Sequence, residues 1–109
     1  MGELYTPDDM YVANYLGALE ALDGGITTLV DWSHNNNTPD HGDMAIKGLQ
    51  DSGIRAVFAY GNANREWFPV SDLPTNFVDV ARVRKQHFSS DDGLVTMAFA
   101  ARGPQFCDA

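Results

Sequence analysis

Three short apolar runs, rich in β-branched and aromatic residues, alternate along the chain with longer segments whose apolar residues recur every three or four positions. The runs predict β-strands at residues 26–30, 54–60 and 94–100, the first of them continuing into Asp31 and Trp32. Each run is almost continuously apolar, which is typical of strands that are covered on both faces.

The longer segments carry signals for helix starts and ends. Thr6 and Thr38 each precede a proline, and this pair is typical of a helix cap followed by the first helical position. Glycines at positions 24 and 53 end the first two helices. The predicted helices cover residues 7–23, 39–52 and about 75–88. The predicted apolar face of the first helix carries Tyr11, Tyr15, Ala18, Leu19 and Leu22, and that of the third carries Phe77, Ala81 and Phe88.

The resulting order is helix, strand, helix, strand, helix, strand within a single domain spanning residues 1–109. This alternation predicts an α/β fold in which right-handed crossovers join a parallel three-stranded sheet. So thin a sheet leaves two strand edges exposed. Either other protein covers them, or the chain is one piece of a larger fold.

Charge and composition exclude several classes of function. Fifteen acidic residues against seven basic ones give a net charge of −8, which argues against binding to nucleic acid or to an anionic membrane surface. The sequence shows neither a signal-peptide pattern nor an apolar segment of about eighteen residues. Cys107 is the single cysteine, so neither an intrachain disulfide nor a cysteine zinc cluster is expected. A cytoplasmic location is the expectation.

Two blocks, "YTPDDMYVANYLGALEALDGGITTLVDWSH" and "HGDMAIKGLQDSGIRAVFAYGN", resemble the amidohydrolase superfamily, and most of all its cytosine-deaminase-like and triazine-hydrolase-like branch. The similarity lies in residues 18–22 leading into 25–28, then in Val30 and Asp31, and later in residues 52–56. The stretch "SSDDGLVTMAFAARGPQF" continues it.

The resemblance implies a (β/α)8 TIM barrel whose metal, zinc or iron, activates water for attack on C–N or C–Cl bonds of a cyclic substrate. Its ligands would be an HxH pair on the first strand, single histidines on the fifth and sixth, and an aspartate on the eighth. This chain would span the first helix to the fourth strand, and His34, His41 and His87 form no HxH. The resemblance therefore implies a partial barrel with no catalytic residue, metal ligand or cofactor of its own, which is inactive in isolation and completed by the missing barrel portion.

Two other functions stay open. The chain could be a non-catalytic binding or structural module that forms homo-oligomers through its exposed strand edges. Alternatively, a complete catalytic site could be assembled between chains, with His34 and His41 coming from different subunits.

Asp31, His34, Asp40 and His41 form a possible zinc-binding set, since imidazole and carboxylate groups are ordinary zinc ligands. The alternative is a strand end and a helix start, with both aspartates accepting backbone N–H groups and His41 exposed. We favour this alternative because the set lacks the spacing of a known metal motif.

Residues that follow the strands are the candidates for substrate binding, because ligands approach the carboxyl ends of parallel strands. The candidates for substrate binding in an intact barrel are Trp32, His34, Asn62, Asn64 and Gln105. The alternative is that these are ordinary polar loop residues beside one packed tryptophan.

His87, on the third predicted helix, is expected on a solvated face.

Overall fold

The computed structural model describes residues 2–62, 75–101 and 103. In this part of the chain, a 3-10 turn at Gly2–Leu4 precedes the elements that the sequence predicts, in the predicted order. Their ends differ from the predicted ones by a few residues. Helices α1 (Pro7–Asp23), α2 (Pro39–Ser52) and α3 (Phe77–His87) alternate with strands β1 (Thr28–Ser33), β2 (Arg55–Tyr60) and β3 (Val95–Phe99).

The helix ends follow from local chemistry. Thr6 and Asp9 form a capping box at the start of α1, and the hydrogen bonds from Thr6 lower the pKa of Asp9. Gly53 ends α2 at φ 74°, a left-handed conformation that glycine adopts readily. The predicted cap at Thr38 differs in detail, because its hydroxyl pairs with His41 Nδ1 at 2.7 Å and bonds no backbone N–H.

The three strands form a parallel sheet in the order β1-β2-β3, as predicted. The register aligns Ser33 with Tyr60 and Tyr60 with Phe99, so the strands end level at one edge of the sheet. We call this edge the carboxyl edge.

The helices cover only one face of the sheet, and the prediction that both faces are covered is wrong for the described residues. On the opposite face, which we call the open face, Val30 and Trp32 remain 62% and 60% exposed. The reason is topological: when spatial order follows chain order, right-handed crossovers place every helix on the same side. The core on the covered face contains Met10, Ala18, Ala45, Ile46, Leu49, Ala56, Phe58, Val83 and Val95.

The apolar faces predicted for α1 and α3 are partly wrong. Leu19 is 38% exposed on α1, whereas Met10 is buried. On α3, Phe77 is 66% exposed, whereas Val83 and Asp79 are buried. Helical spacing alone misplaces the α3 face, because a hydrogen-bonded aspartate takes a core position there.

Candidate functional site

The carboxyl edge is held together by backbone and amide hydrogen bonds. The N–H of Gly61 donates to the Ser33 carbonyl oxygen at 2.7 Å. The buried Asn36 amide donates to the carbonyl oxygens of Ser33, at 2.9 Å, and Gly61, at 3.1 Å. Asn36 thus ties the segment after β1 to the segment after β2. No sequence signal indicates this role, because Asn36 is one of three consecutive asparagines in a loop.

Trp32 and His34 lie at this edge. Trp32 is the penultimate residue of β1, and its side chain is exposed on the open face of the sheet. His34 is also exposed, and its Nδ1 lies 2.9 Å from the Trp32 carbonyl oxygen. Since a carbonyl oxygen only accepts, Nδ1 carries a proton, which leaves Nε2 as an acceptor in the neutral ring.

Asn62 follows β2 at the same edge. A β-carbon built on Gly61 would lie 3.5 Å from that of His34, so the segments that carry His34 and Asn62 meet. Asn62 Oδ1 is buried and accepts no hydrogen bond within the described residues. Asn64 and Gln105, the other two predicted substrate-binding residues, lie outside the described residues.

Asp31 does not point into this edge. Its register position opposite Phe58 places it on the helix-covered face, where its Oδ2 accepts a 2.9 Å hydrogen bond from Asn14 of α1. Burial raises the pKa of Asp31, and the hydrogen bond from Asn14 opposes that shift. The prediction that Asp31 accepts backbone N–H groups is therefore wrong: its partner is a side chain.

The prediction that His41 is exposed is also wrong. The side chain is buried because it joins α2 to the segment before α1. Its Nε2 donates to the Tyr5 carbonyl oxygen at 2.8 Å, and its Nδ1 pairs with the Thr38 hydroxyl. With both ring nitrogens engaged, His41 is not available as a metal ligand or as a partner for His34 between chains.

The structure therefore separates the proposed metal-binding quartet. Asp31 faces the helices, His34 is exposed at the edge, and His41 is buried beside Tyr5. Across residues 2–62, 75–101 and 103, no three histidine, cysteine, aspartate or glutamate side chains are grouped so that they could hold a metal ion. These residues do not fit the metal that the family resemblance implies. Residues 31–41 instead form the end of β1, a loop and the start of α2.

A second polar cluster lies between α2, α3 and the end of β2. The Tyr60 hydroxyl donates to Asp79 at 2.6 Å, and Arg82 Nε donates to the other oxygen of Asp79 at 2.6 Å. Arg82 also reaches Asp43 at 3.0 Å, and Asp43 lies 2.8 Å from His87 Nε2. The prediction of a solvated His87 is wrong, because Asp43 on α2 covers it.

This cluster holds the two helices against the sheet. Burial, and then the hydrogen bond to Asp79, raise the pKa of Tyr60, so its hydroxyl stays protonated and acts as a donor. Tyr60 lies on the face that the helices cover, away from Trp32 on the open face. Its role is thus to position α3.

Comparisons with known proteins reach only part of the chain. No protein-family profile matches it, and no solved structure matches it. Fifty-six residues, 51% of the chain, are 41% identical to the 5-methylthioadenosine/S-adenosylhomocysteine deaminase of Symbiobacterium thermophilum. Part of this chain is similar to a deaminase. The aligned part covers 12% of that protein's length.

None of the described helices combines the length and the apolar character that crossing a membrane requires.

Proposed function

We propose that this chain is a barrel segment of an amidohydrolase-type deaminase that acts on a cyclic substrate. The observation that carries the proposal is the one-sided sheet, in which three parallel strands follow chain order and all helices lie on one face. A (β/α)8 barrel has this layout, because its helices form an outer ring and the inner strand faces pack against one another.

The open face has the character of a barrel interior. Val30 and Trp32 on β1 are exposed there, and Ala98 on β3 is exposed on the same face, whereas Val57 is half-buried and Ala59 is buried. Large exposed apolar residues on a sheet face mark a surface that other protein covers. The remaining strands of a barrel would cover this one.

The similarity to a named deaminase favours cleavage of a C–N bond over a C–Cl bond. We take the substrate class from that relative, which acts on 5-methylthioadenosine and S-adenosylhomocysteine by its name. The reacting group would then be an amino group on a purine ring. The zinc or iron that activates water would be held by the missing barrel portion, and the isolated chain is inactive.

In the intact barrel, this segment supplies one wall of the substrate cleft. Trp32 offers a flat apolar surface on which a purine can stack, and His34 Nε2 offers a hydrogen-bond acceptor. Asn62 lies at the same edge, and its buried amide oxygen has no hydrogen-bond partner among the described residues. Asn64 and Gln105 belong to the same proposal on the basis of their sequence positions.

The test is a transplant into the Symbiobacterium deaminase, in which this chain's residues replace the region that aligns with them. We expect a folded enzyme that still deaminates 5-methylthioadenosine, within about tenfold of the parent kcat/KM, since the segment supplies a wall rather than the catalytic groups. A folded transplant with its metal bound but without activity would contradict the proposal. A matched transplant carrying Phe58→Asp, which buries a charge in the core, should fail to fold and so serves as the negative control.

A second candidate is a non-catalytic module that assembles through its open face and strand edges. The exposed Val30 and Trp32 favour it, because they offer apolar area to a second copy. Sedimentation equilibrium of the isolated chain, with and without Val30→Lys, separates the two. A dimer that Val30→Lys dissociates supports the module, and a monomer in both cases supports the barrel segment.

A further inference from the structure

The outward side of α1, turned away from the sheet, carries an apolar stripe. Asn14 points toward β1, where it bonds Asp31. At 3.6 residues per turn, Val12, Leu16 and Leu19 lie about 140–160° around the helix from Asn14. All three are exposed, Leu16 by 56%. Further strands of a barrel would pack against the open face, on the other side of the sheet, and would leave this stripe uncovered.

The charges around the stripe are all negative. The helix carries no lysine, arginine or histidine between Pro7 and Asp23. Its acidic residues are all exposed, and they lie at both ends of the stripe: Asp8, Asp9, Glu20 and Asp23. We call the stripe together with these carboxylates the acidic face of α1. A surface complementary to it must combine apolar side chains with positive charge.

The outward side of α3 has that combination. Val83 is fully buried in the core, and Val78, Ala81 and Lys85 lie about 140–160° around the helix from it. All three are exposed, Val78 by 84%. Asp79 supplies the negative charge of α3, but it is buried and does not reach the outward side. We call Val78, Ala81 and Lys85 the basic face of α3.

The two faces cannot meet within one chain, because α2 lies between the helices that carry them. Asn14 of α1 donates to the Ala45 carbonyl oxygen of α2 at 3.2 Å, and Arg82 of α3 donates to Asp43 of α2 at 3.0 Å. The acidic face of one copy is therefore open to the basic face of another.

The other helices of a second copy fit the acidic face less well. A second acidic face would set carboxylates against carboxylates. Beyond its first turn, α2 exposes only polar side chains, those of Lys47, Gln50 and Asp51. The basic face of α3 is thus the helical surface of this chain that matches in both charge and apolar character.

The net charge of −8 opposes the approach of two copies. At about 0.15 M salt the Debye length is about 8 Å, so charges that face each other across a contact outweigh distant ones. Arg84 adds a positive charge beside Lys85, although it also pairs with the exposed Asp91 at 2.8 Å. Local charge therefore favours the contact at physiological salt.

We propose that the acidic face of α1 binds the basic face of α3 on a second copy of this chain. The contact is heterologous, so assembly extends into longer chains of copies unless it closes into a ring. A contact of one helix from each copy buries little area, and we expect reversible association with a Kd of about 0.1 mM. The open face stays free, so this assembly is compatible with a barrel segment and requires nothing of the reaction.

Two variants of the full chain each block one face. Leu16→Lys sets a positive charge against the basic face, and Val78→Glu sets a negative charge against the acidic face. Both positions are exposed, and Val78 lies in the first turn of α3, where a carboxylate is favourable, so circular dichroism should show both variants folded. In sedimentation equilibrium at about 0.15 M salt, each variant alone should raise Kd by about tenfold or more, because like charges then face each other.

The decisive measurement is an equimolar mixture of the two variants. The Val78→Glu chain keeps an intact acidic face and the Leu16→Lys chain an intact basic face, so the mixture should form a 1:1 complex with an affinity comparable to wild type. Val30→Lys is the matched control, because it adds the same charge at a similarly exposed apolar position on the open face. It should leave the association unchanged.

Any of the following results would overturn the inference: a wild-type chain that stays monomeric at about ten times the expected Kd, association that either blocking variant fails to weaken, or a mixture that stays monomeric. Loss of association in Val30→Lys would assign the contact to the open face and would also overturn it. An inactive transplant beside a complex of the two variants refutes the proposed function alone, whereas an active transplant beside a monomeric mixture refutes this inference alone.

Discussion

Asn14 on α1 and Asp31 on β1 are joined by a 2.9 Å hydrogen bond beneath the helix layer. The same Asn14 amide donates to the Ala45 carbonyl oxygen of α2 at 3.2 Å, so a single side chain links two helices and the edge strand. This contact removes Asp31 from the carboxyl edge. Asp31, the acidic residue nearest to Trp32 in the sequence, thus joins β1 to α1 and does not lie where it could contact a substrate at the carboxyl edge.

The first prediction concerns the pH dependence of stability at Asp31. Because burial raises its pKa in the folded state, the native chain binds more protons than the unfolded chain between the two pKa values. The Asp31 contribution to the free energy of unfolding therefore falls as pH rises through that window. Asp31→Asn does not titrate and can still accept from Asn14. We expect the variant to be at least as stable as wild type at pH 7. Its advantage in the free energy of unfolding should shrink as the pH falls toward the pKa of aspartate in the unfolded chain, about 3.9.

Urea denaturation of both proteins between neutral and acidic pH measures this difference. The other carboxylates titrate equally in both proteins, so their contributions cancel. If the difference in the free energy of unfolding between the two proteins does not vary with pH, folding does not raise the pKa of Asp31.

The second prediction compares two glycines inside helices. A β-carbon on Gly48 would lie 2.6 Å from the Tyr11 carbonyl oxygen and 3.1 Å from the Tyr15 backbone nitrogen. Gly48→Ala must therefore push α1 away from α2, and we expect a loss of about 1–3 kcal/mol. Gly17→Ala meets no atom within 4 Å and should stabilise by about 0.5–1 kcal/mol, because alanine is the better helix former. Thermal denaturation shows whether each variant is more or less stable than wild type. A Gly48→Ala chain as stable as wild type would refute the close contact between the helices.

The third prediction concerns the buried pair of Tyr60 and Asp79. Asp79→Ala leaves the Tyr60 hydroxyl buried without its 2.6 Å partner and removes one ion pair from Arg82, so we expect a loss of about 2–4 kcal/mol. Tyr60→Phe removes the hydroxyl itself and should cost about 1 kcal/mol.

The double variant tests whether the two residues act together. Its loss should be smaller than the sum of the single losses by about 1 kcal/mol, because the shared hydrogen bond is removed only once. Strict additivity in urea denaturation would mean that the bond contributes nothing to stability.

Local chemistry is what the sequence could predict. The cap at Thr6 joins residues only three positions apart, and Gly53 needs only its own backbone conformation to end a helix. The three strands and their parallel pairing follow from short patterns and from the handedness of crossovers. These features depend on nothing distant in the chain.

The roles of the polar side chains could not be predicted, because their partners are remote. Asp31 bonds a residue 17 positions away, His41 one 36 positions away, and His87 one 44 positions away. Neither the hydrophobic periodicity nor the spacing of motifs in a sequence indicates which remote side chains will form hydrogen bonds. The open sheet face was misjudged for a related reason: a continuous apolar run indicates that a strand face is covered, but not that the cover lies within the same segment.

The last prediction separates a substrate-binding Trp32 from a structural one. The side chain is 60% exposed on the open face, so Trp32→Ala should change the stability of the isolated chain by less than about 0.5 kcal/mol. In the transplanted deaminase the same change removes a stacking surface, which is worth about 1–3 kcal/mol per base. We therefore expect KM for 5-methylthioadenosine to rise by about 5- to 150-fold while kcat changes little, since stacking is equal in the ground and transition states. Trp32→Phe should recover most of the loss. A fall in kcat with unchanged KM would instead mean that Trp32 shapes the metal centre, and unchanged kinetics would mean that it faces away from the substrate.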